Sequence, residues 1–169
     1  MKDLNFLKIT KENESEFKEI ALRLFQNYAI INHESTFRFV DVEFYWNSKT
    51  HQDNSTYKRK YVEPNNGEWF FHYSGVDIAL RNNETGGYGG ILIREIYDIN
   101  KKEFYRGPMV CYMKLFSGTD AFSKSIKTQI IEKEFGLDSI TPLIRVNLRE
   151  NAKETGKDKA KYRFKANFK

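Results

Sequence analysis

The stretch Thr36-Phe37-Arg38-Phe39-Val40-Asp41-Val42-Glu43-Phe44-Tyr45 decides the fold. Apolar and polar residues alternate along it, and it is rich in aromatic and β-branched side chains, which is typical of a β-strand with a buried face. Phe37 and Phe39 are predicted to point inward, although a register shift of one residue would reverse the face that Glu43 occupies. We expect a long strand that carries a carboxylate near its end.

The segment before this strand has the period of a helix. Between Glu14 and Ile31, apolar residues recur every three or four positions along one stripe. Asn13 and Glu16 have the spacing of an N-cap residue and its capping partner. The sequence therefore predicts a helix over about 14–31.

Several short elements are predicted downstream of the central strand. Residues 46–67 are rich in turn-forming and polar types and indicate a long ordered loop, a kind of segment that is often functional. The expected strands are 68–74, 76–80, 91–97, 140–148 and 161–168, and the expected helices begin near Gly107-Pro108 and cover 124–135. Strands dispersed among a few helices favour an α+β fold, and 169 residues suit one domain, with a helical segment at 1–35 and a sheet core at 36–169.

The net charge of +5 is concentrated at the end of the chain. Eight basic and three acidic residues lie between Arg149 and Lys169, and the preceding residues are neutral overall. The single cysteine, Cys111, cannot form an intramolecular disulfide, which favours a reducing, cytoplasmic location. The sequence has no apolar stretch of membrane-spanning length and no leader-like segment, so we expect no membrane partner.

Most common catalytic patterns are missing from the sequence. The stretch Gly86-Gly87-Tyr88-Gly89-Gly90 has neither phosphate-binding motif and precedes a strand, so it predicts a turn that lets strands approach closely. The three histidines lack the spacing of a known metal motif, and no nucleophile elbow is present. We therefore expect no metal and no cofactor.

Glu43 is the most promising candidate for chemistry. It stands near the end of an apolar strand, just before the long loop, and Tyr45 lies two residues on, hence on the same side of the sheet. A carboxylate held there could deprotonate a water molecule. A solvent-facing residue on an amphipathic strand is the alternative reading.

A set of segments, taken in order, resembles the alkyladenine (3-methyladenine) DNA glycosylase family. The resemblance covers about residues 36–169 and depends on the order and spacing of short motifs. The matching stretches are Phe39 to Tyr45, Thr50-His51, Gly67 to Gly75, Gly90 to Ile96, Gly107-Pro108 and Tyr162-Arg163-Phe164. The resemblance implies a single domain with a curved, mainly antiparallel sheet and a few flanking helices.

The resemblance also implies roles for individual residues. Glu43 would activate the attacking water, and Tyr45 and His51 would line the pocket of an extruded base. Phe71, His72 and Tyr73 occupy the place of the family's stacking and intercalating tyrosines. Contacts to nucleic acid would come from cations on the loop, on one inner strand and on the last strand: Lys58, Arg59, Lys60, Arg94, Lys161, Arg163 and Lys165.

The implied reaction is removal of a damaged or modified purine in base excision repair, with DNA as the partner and no obligate protein partner. RNA or a modified nucleoside stays open as the substrate. A second reading is a glycosylase-like module that binds nucleic acid or a nucleotide without the reaction. Two departures from the family pattern favour that reading: the stretch Ser55 to Lys60 lacks the glycine and asparagine of the family loop, and Ser74 replaces a tyrosine.

Overall fold

Two long antiparallel strands form the centre of the fold in a computed structural model that describes residues 4–122 and 126–168. They are β2 (Thr36–Asn47) and β5 (Gly87–Asp98), each twelve residues long. They pair from Phe37–Asp98 to Asn47–Tyr88, with register shifts between Phe39 and Val42. The predicted central strand is confirmed, and it extends two residues beyond Tyr45.

Shorter strands extend this pair into a curled antiparallel sheet with few helices, so the α+β prediction is confirmed. The other strands in the described ranges are β1 (Tyr28–Ile31), β3 (Trp69–His72), β4 (Gly75–Asn82), β6 (Glu103–Arg106), β7 (Gln129–Glu132), β8 (Ser139–Leu143) and β9 (Arg163–Asn167). The α-helices there are α1 (Glu14–Asn27) and α2 (Pro108–Leu115), and 3-10 turns cover Asn5–Leu7, Glu150–Thr155 and Lys157–Lys159.

The strand order across the sheet is β3-β4-β5-β2-β1-β7. Strand β6 pairs with the later part of β5, while β9 pairs with β2 beside β1 and carries β8 on its outer edge. All of these pairs are antiparallel. The central pair therefore has neighbours on both edges.

Helix α1 covers one face of the sheet. It begins after Asn13, whose side chain accepts a hydrogen bond from the backbone N–H of Glu16, so the predicted cap is confirmed. Phe17 is fully buried and stacks on Phe44 with ring centroids 5.0 Å apart. Burying one such side chain contributes about 1.5–3 kcal/mol. This packing makes Phe44 face the helix and leaves Glu43, its neighbour on β2, on the opposite face.

The predicted helix over 14–31 is too long. It ends at Asn27, and residues 28–31 form β1, which pairs with β2 on one edge and β7 on the other. Ala29 and Ile30 are fully buried. A continuous apolar run at the end of a helical stripe is compatible with a helix or a strand. Here the hydrogen bonds to strands on both edges stabilise the strand.

The predicted helix over 124–135 is also wrong within the described residues. Residues 129–132 form the edge strand β7, while residues 124 and 125 lie outside the described part of the chain. Ile130 and Ile131 pair with Ile30 and Ala29 of β1, and β-branched side chains suit that position. No helix within residues 4–122 or 126–168 is long and apolar enough to cross a membrane.

The last predicted strand is confirmed in shortened form as β9, whose Phe164 and Ala166 are buried. The strand predicted over 140–148 ends earlier, because β8 stops at Leu143. Residues 144–148 leave the sheet and turn Arg145 into the interior, where its side chain is fully buried. The burial of this cation depends on tertiary contacts, so the alternation of apolar and polar residues along the sequence does not predict it.

Candidate functional site

The face of the sheet opposite α1 forms the floor of a cleft of about 520 Å³. Strands β2, β4 and β5 supply the floor, and the long loop, the start of α2 and the segment after β8 supply the walls. The volume is within the usual range of small-molecule sites, about 300–1,000 Å³. The floor residues are Tyr45, Asp77, Leu92 and Arg94, and the walls include Asn54 to Lys58, His72 to Ser74, Pro108, Met109, Val146 to Arg149 and Asn151.

Glu43 lies beneath this floor and is fully buried. Its Oε2 accepts hydrogen bonds from the Tyr45 hydroxyl at 2.8 Å and from the Arg94 guanidinium at 3.2 Å. Its Oε1 accepts a hydrogen bond from the backbone N–H of Val146 at 3.2 Å. All three donors line the cleft, so the carboxylate is held in one orientation directly behind the cleft surface.

The protonation of Glu43 is set by competing effects. Burial, the largest, raises the pKa of its carboxyl group, and the Arg94 charge with the bonds from Tyr45 and Val146 oppose it. The net pKa is above the ordinary value. Burial likewise raises the pKa of Tyr45, and the Glu43 charge adds to that effect. Tyr45 therefore stays a hydrogen-bond donor, and Glu43 is suited to take up a proton.

A buried ion pair that the sequence does not reveal holds the segment carrying Val146. Arg145 and Asp53 are both fully buried and approach to 2.6 Å. The same guanidinium donates to the carbonyl oxygens of Phe44 and Lys157, and it lies over the Tyr45 ring at 4.8 Å. Arg145 is thus a positioning residue for the cleft. Neither partner belongs to a recognisable motif, and only their long-range contact identifies them.

A second buried carboxylate, Asp77, lies on the floor across β5 from Glu43. Asp77 and Glu43 both pair with Leu92, from opposite sides, so their Cα atoms are two strand spacings, about 10 Å, apart. Oδ1 of Asp77 is 2.9 Å from Nε2 of His72. Nδ1 of His72 accepts the backbone N–H of Ser74, so Nε2 carries the proton that binds Asp77. The sequence predicts strands on both sides of Gly75 but not the contact between these two side chains.

Aromatic side chains form one wall of the cleft. The Tyr57 ring lies 4.5 Å from the His72 ring and 5.4 Å from the Tyr73 ring, measured between centroids. Its hydroxyl is 2.9 Å from that of Ser74, and Tyr73 accepts a short hydrogen bond from Arg149. Tyr45 lines the cleft on the other side. Rings on two sides suit a planar heterocycle, since aromatic stacking contributes about 1–3 kcal/mol per base.

The predicted pocket residues separate into two groups. Tyr45, His72 and Tyr73 line the cleft together. His51 lies on the α1 side of the sheet, where its ring bonds the Trp46 carbonyl and the Tyr162 hydroxyl and meets the edge of Phe17. Phe71 points to the other side of β3 and contacts α2 and the residue that follows it. Neither His51 nor Phe71 is part of the cleft surface described here.

The seven predicted nucleic-acid cations also differ in position. Lys58 and Arg94 line the cleft, and Lys60 and Lys161 are exposed outside it. The other three are engaged by groups of the fold itself. Arg59 donates to the carbonyl oxygens of Tyr57 and Gly89. Arg163 donates two hydrogen bonds to the Asp41 carboxylate. Lys165 donates a hydrogen bond to Glu95. Arg149, not among those seven, adds a cation at the rim.

No metal-binding cluster of three or more histidine, cysteine or carboxylate side chains occurs among residues 4–122 and 126–168. Cys111 is buried in α2, and burial raises the pKa of its thiol to about 12, so it is not a ready nucleophile. The chemistry of the cleft is that of its carboxylates, its rings and Arg94.

No known family model matches the chain. The chain is similar to an uncharacterized protein of Acanthamoeba polyphaga mimivirus, with 27% identity over 128 residues. The match covers 61% of this chain and 57% of the mimivirus protein, so the chain spans little more than half of that relative.

Proposed function

We propose that the chain hydrolyses the N-glycosidic bond of a damaged or modified purine in DNA, with Glu43 activating the attacking water. The observation that carries this proposal is the placement of Glu43, a fully buried carboxylate fixed by Tyr45, Arg94 and Val146 directly behind the cleft. The resemblance to the alkyladenine DNA glycosylase family assigns Glu43 the same role.

The reaction needs few groups. An N-alkylated purine is cationic, so it leaves as a neutral base when the bond from C1′ to nitrogen breaks and nitrogen keeps the electron pair. Water oxygen forms the new bond to C1′, and Glu43 takes the water proton before releasing it to solvent. The raised pKa of Glu43 suits this uptake. Extruding the base from the duplex costs a few kcal/mol, which stacking in the cleft offsets.

The charge at the cleft mouth supports a polyanionic partner. Lys58 and Arg149 are exposed members of the cleft surface, and Arg94 lies deeper. Phosphate neutralisation by such side chains supplies most of the nonspecific affinity for DNA. Arg163 and Lys165 are turned toward Asp41 and Glu95, so we assign the main phosphate contacts to the rim cations.

A base-release assay tests the proposal. Duplex DNA methylated with dimethyl sulfate is incubated with the full chain, and released purines are separated by chromatography. We expect release by the wild-type protein and loss of release in Glu43→Gln, with DNA binding retained. Glu95→Gln is the matched control, because Glu95 is also buried and paired with cations but lies outside the cleft. Unchanged release by Glu43→Gln would remove Glu43 from the mechanism.

A second candidate function is supported by the same residue. Both oxygens of Glu43 are occupied, and none of its surface is exposed, so a water reaches it only if Tyr45, Arg94 or Val146 moves. This closed arrangement favours a module that binds nucleic acid or a nucleotide without hydrolysis. Salt-dependent affinity for duplex DNA without release from any modified substrate would support it. Absence of affinity for any nucleic acid would exclude the repair enzyme and the nucleic-acid form of the module, and would leave only a module that binds a nucleotide.

A further inference from the structure

We propose that Asp77 selects the ligand, through its Oδ2 atom, for a planar base that presents N–H donors, as an amino-substituted purine does. This inference rests on the proposed function in that it names the base the cleft takes, but its evidence is separate from that for Glu43. Asp77 is a specificity residue here and takes no part in the bond-breaking step.

One oxygen of Asp77 is committed and the other is free. The residue is 3% exposed, and Oδ1 accepts the Nε2–H bond of His72. Oδ2 accepts no hydrogen bond from any described residue, although Asp77 lines the cleft. Arg59, whose charge acts on Asp77, forms no hydrogen bond with it among the described contacts and donates to the backbone carbonyls of Tyr57 and Gly89. Oδ2 is therefore an acceptor at the cleft that no described side chain satisfies, and a ligand N–H placed there would form a hydrogen bond with it.

The backbone of β5 makes room for this oxygen. Gly90 stands beside Asp77, and a Cβ atom at position 90 would clash with the Asp77 carboxylate. Tyr45 is the cross-strand partner of Gly90 on β2, so the Asp77 carboxylate, which lies over Gly90, and Tyr45 are neighbours on the floor. A flat ring that lies in the cleft beside the Asp77 carboxylate would have its edge at Oδ2 and its faces toward the aromatic walls.

The charges of the cleft form a gradient that matches such a ligand. The floor carries the carboxylate of Asp77 and, beside it, the ion pair of Glu43 with Arg94, and the exposed cations Lys58 and Arg149 lie at the mouth. A nucleotide has the complementary order, with a donor-bearing or cationic base at one end and phosphate at the other. A base that presents only carbonyl acceptors to the floor would face Oδ2 with a like partial charge and no bond.

Binding of free bases tests this assignment without any need for hydrolysis. Calorimetric titration compares 3-methyladenine, which carries an amino group, with 3-methylhypoxanthine, which has a carbonyl oxygen in its place. We expect the wild-type protein to bind 3-methyladenine about tenfold more tightly. In Asp77→Asn the amide oxygen can keep the His72 bond and turn its NH₂ into the cleft, so the preference should reverse.

A third ligand tests the role of the amino group on the wild-type protein alone, without a substitution at Asp77. The N6,N6-dimethyl derivative of 3-methyladenine lacks the donors and should bind the wild-type protein about tenfold more weakly than the parent base. Asp138→Asn, which changes an exposed carboxylate outside the cleft, serves as the control and should keep the wild-type preference.

The outcomes for the two proposals are distinct. Equal affinity for the three bases, an unchanged preference in a folded Asp77→Asn protein, or no binding of any base would overturn the role of Asp77. A clear preference together with no base release from DNA would leave the role of Asp77 standing and reject hydrolysis. Base release from DNA without any preference among the three free bases would support hydrolysis and reject the role of Asp77.

Discussion

Val146 donates its backbone N–H to a carboxylate oxygen of Glu43 at 3.2 Å, across 103 positions of sequence. This bond joins the central strand to the segment that leaves the sheet after β8. The orientation of Glu43 therefore depends on the packing of a distant segment, and that packing depends on the buried pair of Arg145 and Asp53.

Replacing Arg145 should destabilise the protein strongly. Arg145→Met leaves Asp53 as a buried charge without a partner, and breaking such a pair costs about 3–5 kcal/mol. Urea unfolding measures the loss, and Arg149→Met, a rim substitution, should change the free energy of unfolding by much less. Adding Asp53→Asn to Arg145→Met should restore part of the stability. A single variant as stable as the wild-type protein would contradict the positioning role of Arg145.

Glu43 should make the free energy of unfolding decrease as the pH rises. Because burial raises the pKa of Glu43 in the folded state, that state holds the proton more tightly than the unfolded chain. The contribution of Glu43 is therefore most favourable at low pH and is lost as pH rises from about 4.5 through the folded pKa. Unfolding of wild type and Glu43→Gln over this range should show the wild-type protein losing stability relative to the variant. A relative gain would contradict the raised pKa.

His51 should make the stability of the protein change with pH in the opposite direction. Burial, the largest effect, and the Lys157 charge lower the pKa of His51, which stays neutral between Trp46 and Tyr162. The unfolded chain takes up this proton first, so stability falls as pH decreases from about 6.5 through the folded pKa. His51→Asn should flatten that part of the stability curve, and a folded variant with the wild-type pH dependence would contradict the lowered pKa of His51.

DNA affinity should depend on the cations at the cleft mouth. Lys58→Ser removes an exposed charge from the cleft surface, so it should weaken binding to duplex DNA at low salt and lower the salt slope by about 0.9 for one lost phosphate contact. Lys18→Ser is the control, because Lys18 belongs to α1 on the opposite face of the sheet. An equal effect of both substitutions would indicate only a loss of net charge.

The sequence predicts the secondary structure better than the site. Local patterns were enough for the long strand, the capped start of α1, the Pro108 helix and the loop that lines the cleft. They failed at residues 28–31 and 129–132, where pairing between distant strands outweighs a helical period.

The site is harder to predict because tertiary contacts build it. Glu43 and Tyr45 could be chosen from their strand, since residues two apart share a face, whereas Arg94 was chosen from the family resemblance. Asp77 and Arg145 could not, because their roles depend on a hairpin and on a loop from the end of the chain. His51 and Arg163 had suitable chemistry for a site, yet Tyr162 and Asp41 engage them within the fold.

The central claim is that Glu43 activates water for base release, and a single-turnover rate measurement tests it most directly. Excess protein is mixed with a duplex that carries one N-methylated purine, and free base is followed over time. Loss of a catalytic base costs about 10²–10⁴-fold, so Glu43→Gln should be slowed by that factor while Glu95→Gln keeps the wild-type rate. Equal rates for wild type and Glu43→Gln, or no release by the wild-type protein, would contradict the claim.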